Sequence, residues 1–142
     1  TGSKHCIVTL VERVSGCVLI GKLADHTKAA LNRCVIPMLL ENRRLFKTIT
    51  VDNGTEFHGY EEIEQATGVT FYFANPYHAW ERGTNENTNG LIRQYLPKRT
   101  SMKNVSQSQC SMIACILNNR PRKRLDFITP LEHLHKHRHL TA

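Results

Sequence analysis

Two carboxylates are the residues on which chemistry can turn. In TITVDNGTEF (Thr48–Phe57) an apolar run ends at Asp52 and is followed by Asn53-Gly54. Asp, Asn and Gly suit turn geometry, so the stretch can be a plain strand exit. A carboxylate at a strand end is also where a metal-dependent enzyme can hold an ion. A second acid, suitably placed, would separate the two. Glu86 lies in WERGTNENTNGLIRQY, with 33 residues between it and Asp52 (86 − 52 − 1). It falls in the first turn of a predicted helix, where a glutamate is in any case favourable to the helix dipole. Taken singly, each acid has an ordinary structural explanation.

The elements expected around these acids form an α/β pattern. Cys6–Val14 and Cys17–Leu23 read as two strands joined by a two-residue Ser15-Gly16 hairpin. His26-Thr27 opens an amphipathic helix with Ala29, Ala30, Cys34 and Met38 on one side, ended or kinked by Pro37. Phe46–Val51 is a short strand leading into Asp52. A helix over Gly59–Thr67 turns Ile63 and Ala66 inward and is capped by Gly68. Val69–Phe73 is a further strand, and Ala74–Gly83 a loop holding Pro76, Tyr77 and Trp80. A helix is expected from Thr84 to about Tyr95, stopped by Pro97, then one over Gln107–Asn118 and a short one from Pro130. Strands interleaved with helices imply helices packed on a mixed sheet.

At 142 residues the chain reads as one domain, 1–142, large enough to bury roughly 70% of its unfolded surface without disulfides. It has no apolar run of the roughly 18 residues that a membrane-spanning helix needs. The opening TGSKHCIVTLVERVSG, interrupted by Glu12 and Arg13, does not read as a signal peptide. Five cysteines without a CxxC pair suggest buried thiols in a reducing compartment. The net charge of +7 and pI near 9.4 point to a polyanionic partner. The cations concentrate late, in Arg93, Lys98, Arg99, Lys103 and the RPRKR run Arg120–Arg124. His133, His135, His137 and His139 alternate near the end. A solvated or frayed helix end is preferred to a metal site there, because rings two apart on a helix do not face one another.

Three stretches taken together, VDNGTEF, NPYHAWERGTNENTNGLIRQYLP and NNRPRKRLDFITPLEHL, resemble the catalytic core of DDE transposases and integrases. The resemblance is nearest to bacterial insertion-sequence transposases and covers nearly the whole chain. It implies an RNase H-like fold and an enzyme that cuts transposon ends and joins a 3′-hydroxyl to target DNA. Asp52 then matches the second acid of the family and Glu86 the third, both as catalytic metal ligands. Arg93, seven positions beyond Glu86, matches a DNA-contacting basic residue, and seven residues is about two helical turns. Asn89 and Gly90 match the helix around the third acid.

Hard carboxylate oxygens imply Mg²⁺ or Mn²⁺, as two ions about 4 Å apart flanking the scissile phosphate. Lys98, Arg99 and Arg93 are expected to neutralise phosphates, with Asn89 also at the DNA. Trp80 and Tyr77 would stack on a splayed base or pack their loop. The implied partners are DNA and further copies of the chain, with neither membrane nor small-molecule substrate. The implied location is the bacterial cytoplasm, at the nucleoid. The family's first Asp is expected on a strand upstream of Cys6, and neither Glu12 nor Asp25 matches it; Asp25 reads as a helix cap. The chain is therefore expected to be a fragment with impaired activity whose exposed strand edge invites a strand-donating dimer. The competing reading is a non-catalytic DNA-binding or assembly fragment.

Overall fold

The computed structural model describes residues 5–51, 59–73, 88–97 and 101–141, with side chains of the last helix through His137. Four strands form one sheet: β1 (Cys6–Glu12), β2 (Val18–Leu23), β3 (Thr48–Val51) and β4 (Thr70–Phe73), in the order β2-β1-β3-β4. β1 pairs antiparallel with β2 over six residue pairs, Cys6↔Leu23 to Val11↔Val18. β3 and β4 are parallel over four, Thr48↔Thr70 to Val51↔Phe73. The seam joining the halves is antiparallel and has two, Val11↔Thr50 and Glu12↔Ile49. The mixed sheet expected from the sequence is therefore present.

The β1–β2 connection is longer than Ser15-Gly16. The Glu12 amide donates to the Cys17 carbonyl at 2.7 Å and the Gly16 amide to the Glu12 carbonyl at 3.0 Å. One helical turn thus fills the loop, and Gly16 at φ 78° reverses the chain, a conformation that costs glycine little. Glu12 supports that turn. It is fully buried, and its Oε2 accepts from the amides of Val14 (3.0 Å) and Ser15 (2.6 Å) and from Ser15 Oγ (2.6 Å).

Helix α1 (Lys28–Glu41) is capped by Thr27, whose Oγ1 accepts from the Ala30 amide. Asp25 is not the cap itself; its Oδ1 accepts from the Thr27 amide and hydroxyl and so positions the capping residue. The inward face is Leu31, Val35 and Leu39, a clean i, i+4, i+8 stripe. Ala29 is exposed, and Ala30, Cys34 and Met38 lie at the flank. The helix does not end at Pro37, which is exposed and interior, so water can serve the carbonyl that loses its donor.

Helix α2 (Tyr60–Thr67) buries Ile63, whereas Ala66 is exposed: the buried stripe runs through Tyr60 and Ile63, and Ala66 falls off it. Gly68, left-handed at φ 76°, caps the helix through its amide to the Glu64 carbonyl. A helical segment at 88–92 (α3) is followed by tight turns, the Gln94 amide bonding Leu91 and the Tyr95 amide bonding Ile92. Regular helix thus stops at Ile92, short of Tyr95 and five residues before Pro97. Helix α4 (Gln107–Asn118) begins at a Ser106–Gln109 capping box, and α5 (Pro130–Thr141) follows a short turn at Lys123–Leu125.

Two cores result, one on each face of the sheet. Leu10, Leu31, Val35, Leu39, Ile49, Ile63 and Leu134 belong to the first; Val11, Val18, Ile20, Ile92, Cys110, Ile113 and Leu117 to the second. The alternation of Leu10 and Val11 onto opposite faces is the period of two that a strand imposes.

Candidate functional site

The parallel pair decides where the chain between elements emerges. Val51 stands opposite Phe73 at the last rung, so the segments that follow, 52–58 and 74–87, leave from neighbouring points on one edge of the sheet. This edge, at the carboxyl ends of parallel strands, is where open α/β sheets hold their ligands.

The neighbouring elements fix that exit firmly. Val51 is 1% exposed. Tyr60, which resumes the described chain as the first residue of α2, packs edge-on against Phe71 and Phe73, with centroids 6.4 and 5.0 Å apart. The Lys28 stem lies over Gly59, in the space a Cβ there would take. Lys28 then pairs with Glu62 at 2.6 Å.

Of the expected site residues, Asn89 and Arg93 are described; Asp52, Glu86, Trp80, Tyr77, Lys98 and Arg99 lie outside the described residues. Asn89 is exposed on α3, and its carbonyl accepts from the Arg93 amide at 3.0 Å. Arg93 Nη1 donates to the Leu96 carbonyl at 3.3 Å, closing the carboxyl end of its own helix. α3 is held to the sheet by Ile92, which packs in the second core. Lys22 and Lys103 belong to a loop support: the Lys22 ammonium donates to the carbonyls of Met102, Lys103 and Val105.

Burial weighs against nucleophilic chemistry at three of the thiols. Burial, then the charge of Glu12, pushes the Cys17 thiol up to about 12, so it is neutral at physiological pH. Burial raises Cys34 and Cys110 as well. All five cysteines are free; only Cys17 and Cys110 are buried, Cys6 and Cys34 are half-buried and Cys115 is exposed, so the expected burial holds for two of them. The histidine tract is helical, and His133 stacks on His137 at 6.5 Å. Among the described residues no group of three His, Cys, Asp or Glu is placed to hold a metal, and no helix is long and apolar enough to cross a membrane. A cleft of about 730 Å³ between α1, β2 and α4, lined by Leu19, Leu23, Cys34, Met38 and Cys115, is separated from β3 by the width of β1 and β2.

Known proteins bear on this edge. The transposase of insertion sequence element IS4351 of Bacteroides fragilis is 46% identical over 129 residues, 91% of this chain and 40% of that protein. The transposase InsI of IS30A of Escherichia coli K12 is 42% identical over 134 residues, 93% of this chain and 35% of that protein. The chain is a homologue of insertion-sequence transposases. This transposase homologue spans two fifths or less of the length of those relatives (40% and 35%). Its structure superposes on the catalytic core domain of BIV integrase with a TM-score of 0.68 at 22% identity, covering 99% of this chain and 93% of that one. The fold is thus the integrase-core, RNase H-like one. No protein-family model matches the transposase homologue.

Proposed function

We propose that the chain is the catalytic-core portion of a DDE transposase, a polynucleotidyl transferase acting on DNA, with Asp52 and Glu86 as its metal-binding acids. The observation that supports this most is the in-register ending of β3 and β4, Val51 opposite Phe73. It starts the Asp52 segment and the segment leading to Glu86 side by side at one sheet edge. α3 is anchored on the sheet through Ile92, and Glu86 lies two residues before its described start.

The donor set is two carboxylates, hard ligands suited to Mg²⁺ or Mn²⁺ and not to soft-metal chemistry. Divalent ions there would lower the pKa of the attacking water or 3′-hydroxyl and neutralise charge on the leaving oxygen. The chain's own part is to hold Asp52 on a rigid strand end and to gather the DNA backbone. Among the described residues Arg93 uses one guanidinium N–H, on the Leu96 carbonyl, and Arg93, Lys98, Arg99, Asn89 and Trp80 make up the proposed DNA contacts. Binding that falls steeply with salt follows from such contacts.

The two-rung β1–β3 seam supports a further part of this reading. β1 runs on from Leu10 to Cys6 beyond the seam, and among the described residues no strand pairs with it on that side. A second copy of the chain can offer a strand there, so self-association is proposed with DNA binding. The deciding experiment is a strand-transfer assay with a transposon-end oligonucleotide and Mn²⁺, run on the chain and on its Asp52→Ala variant. Joining that is abolished by Asp52→Ala is expected. Joining that survives Asp52→Ala would remove the strand-end site from the chemistry.

A further inference from the structure

The opposite end of the sheet carries a second concentration of positive charge. Asn118, near the end of α4, pairs with Val18 at the start of β2, and Ser15 and Glu12 lie at the same end, where Thr48 begins β3. β3 runs from there towards Asp52, so the two ends stand at least about 10 Å apart along the strand. The RPRKR run emerges from α4 at the hairpin end. The RPRKR run is therefore at the end of the sheet opposite the β3 exit.

The arginines are held there without being neutralised. Arg120 Nη2 donates to Tyr95 Oη at 3.1 Å, Arg122 Nη2 to the Leu117 carbonyl at 3.2 Å, and Arg124 Nη2 to the Ser15 carbonyl at 2.9 Å. Each bond goes to a neutral oxygen, and among the described residues none of the three makes an ion pair. A guanidinium has five donors in a fixed fork, so each keeps most of its bonding capacity for another acceptor. Burial and the charges of Arg120 and Arg124 lower the Arg122 pKa, as expected of cations crowded without a counter-charge. Arg13 and Lys47 are exposed at this end too.

The loop that follows the run is strained and presents an aromatic ring. Asp126 (φ 55°) and Phe127 (φ 68°) are consecutive left-handed residues that are not glycine, a costly arrangement that tends to persist where it serves a site. The Phe127 amide donates to the Arg122 carbonyl and the Arg122 amide to the Ile128 carbonyl, which locks the loop base. Phe127 itself is 69% exposed. The strain therefore gains no burial for the ring.

We propose that this hairpin end is a second nucleic-acid contact surface, in which Arg120, Arg122 and Arg124 take backbone phosphates and Phe127 stacks on an unpaired base. Guanidinium forks match phosphate oxygens bidentately, and basic surfaces with exposed aromatic rings are how unpaired strands are gripped. The inference rests on the reading that the chain acts on DNA. It adds a contact that a duplex reaches separately from the strand-end site.

Fluorescence anisotropy with an intact duplex and with one containing an unpaired bubble tests it. Arg120→Gln with Arg124→Gln should flatten the slope of log affinity against log salt by about 2 on both DNAs. Phe127→Gly should weaken bubble binding roughly tenfold or more and leave the intact duplex nearly unchanged. Glycine suits φ 68°, so this variant should unfold no more easily than the parent, whereas a ring with a packing role would make it less stable. Phe127→Asn, which also tolerates that backbone, provides a second variant. Unchanged binding in all variants overturns the proposal, as does a loss of self-association in place of DNA affinity. Asp52→Ala separates the two readings. If it abolishes joining while the loop variants bind normally, this surface fails alone; if the loop variants weaken binding and no joining is seen, only the catalytic reading fails.

Discussion

The two flanks of the sheet are finished differently. On the outer flank, β2 presents backbone groups that a free edge strand would offer to any passing chain, and α4 closes them with side chains. Asn118 accepts from the Val18 amide at 2.8 Å and donates to its carbonyl at 2.9 Å. Gln107 accepts from the Lys22 amide at 2.9 Å and donates to the Ile20 carbonyl at 3.0 Å. Positions 107 and 118 are eleven apart, three helical turns, so they project from one face of α4 and imitate a neighbouring strand. The inner seam has two backbone rungs and then parts. The β2 edge is sealed by the chain's own side-chain amides, whereas the interior β1–β3 seam rests on two backbone pairs. That contrast places the stabilising side-chain bonds on the outer flank.

The junction of seam and hairpin depends on Glu12, and its removal should have the largest effect. Glu12→Ala leaves the Val14 and Ser15 amides and the Ser15 hydroxyl without their acceptor in a buried site. With each orphaned donor costing about 1–3 kcal/mol, a loss of about 3 kcal/mol or more is expected in urea unfolding followed by circular dichroism. The same carboxylate is saturated by these donors, so Mg²⁺ should not protect the protein against urea through Glu12. A stability loss under 1 kcal/mol would show that the turn holds without it. Next comes the sealed flank: Asn118→Ala should cost about 2 kcal/mol, since it exposes both Val18 backbone groups in a partly buried position. It should also raise aggregation, measured by light scattering, because the reopened edge can pair between chains.

How much of this was legible in the sequence follows from the same contrast. Gln107–Asn118, Gly68 as a cap and the Thr48–Val51 strand are readable because caps, glycine and period-two patterning act locally. The inward face of α1 was misread: Ala29 and Ala30 look apolar, but the sheet takes the larger Leu31, Val35 and Leu39, and tertiary burial outweighs composition. Ala66 failed for the same reason. The five-residue β1–β2 connection was hidden because its turn is built by a buried glutamate, and burial of an acid has no signature in sequence. Asn118 and Gln107 gave no signal as edge caps; their partners are 100 and 85 to 87 residues away. Of the proposed site, the motif spacing and the resemblance point to Asp52 and Glu86, both outside the described residues. The structure adds the parallel exit beside Asp52, and it moves Arg120–Arg124 to the other end.

The smallest effect is expected at the other end of the sealed flank. Gln107→Ala removes two hydrogen bonds to β2, as Asn118→Ala does, but the bond from the Lys22 amide is exposed, so water replaces the lost carbonyl at little cost. Lys22 is also tied down independently by its ammonium on the carbonyls of Met102 and Val105. About 1 kcal/mol or less is therefore expected, measured by the same urea titration. The double variant Gln107→Ala, Asn118→Ala gives the sharper reading. If α4 works as one strand-like cap, releasing one end makes the other easier to lose, and the double variant should cost less than the sum of the singles. Strict additivity would mean the two amides act as separate clips, since sites that share no partner add within about 0.5 kcal/mol.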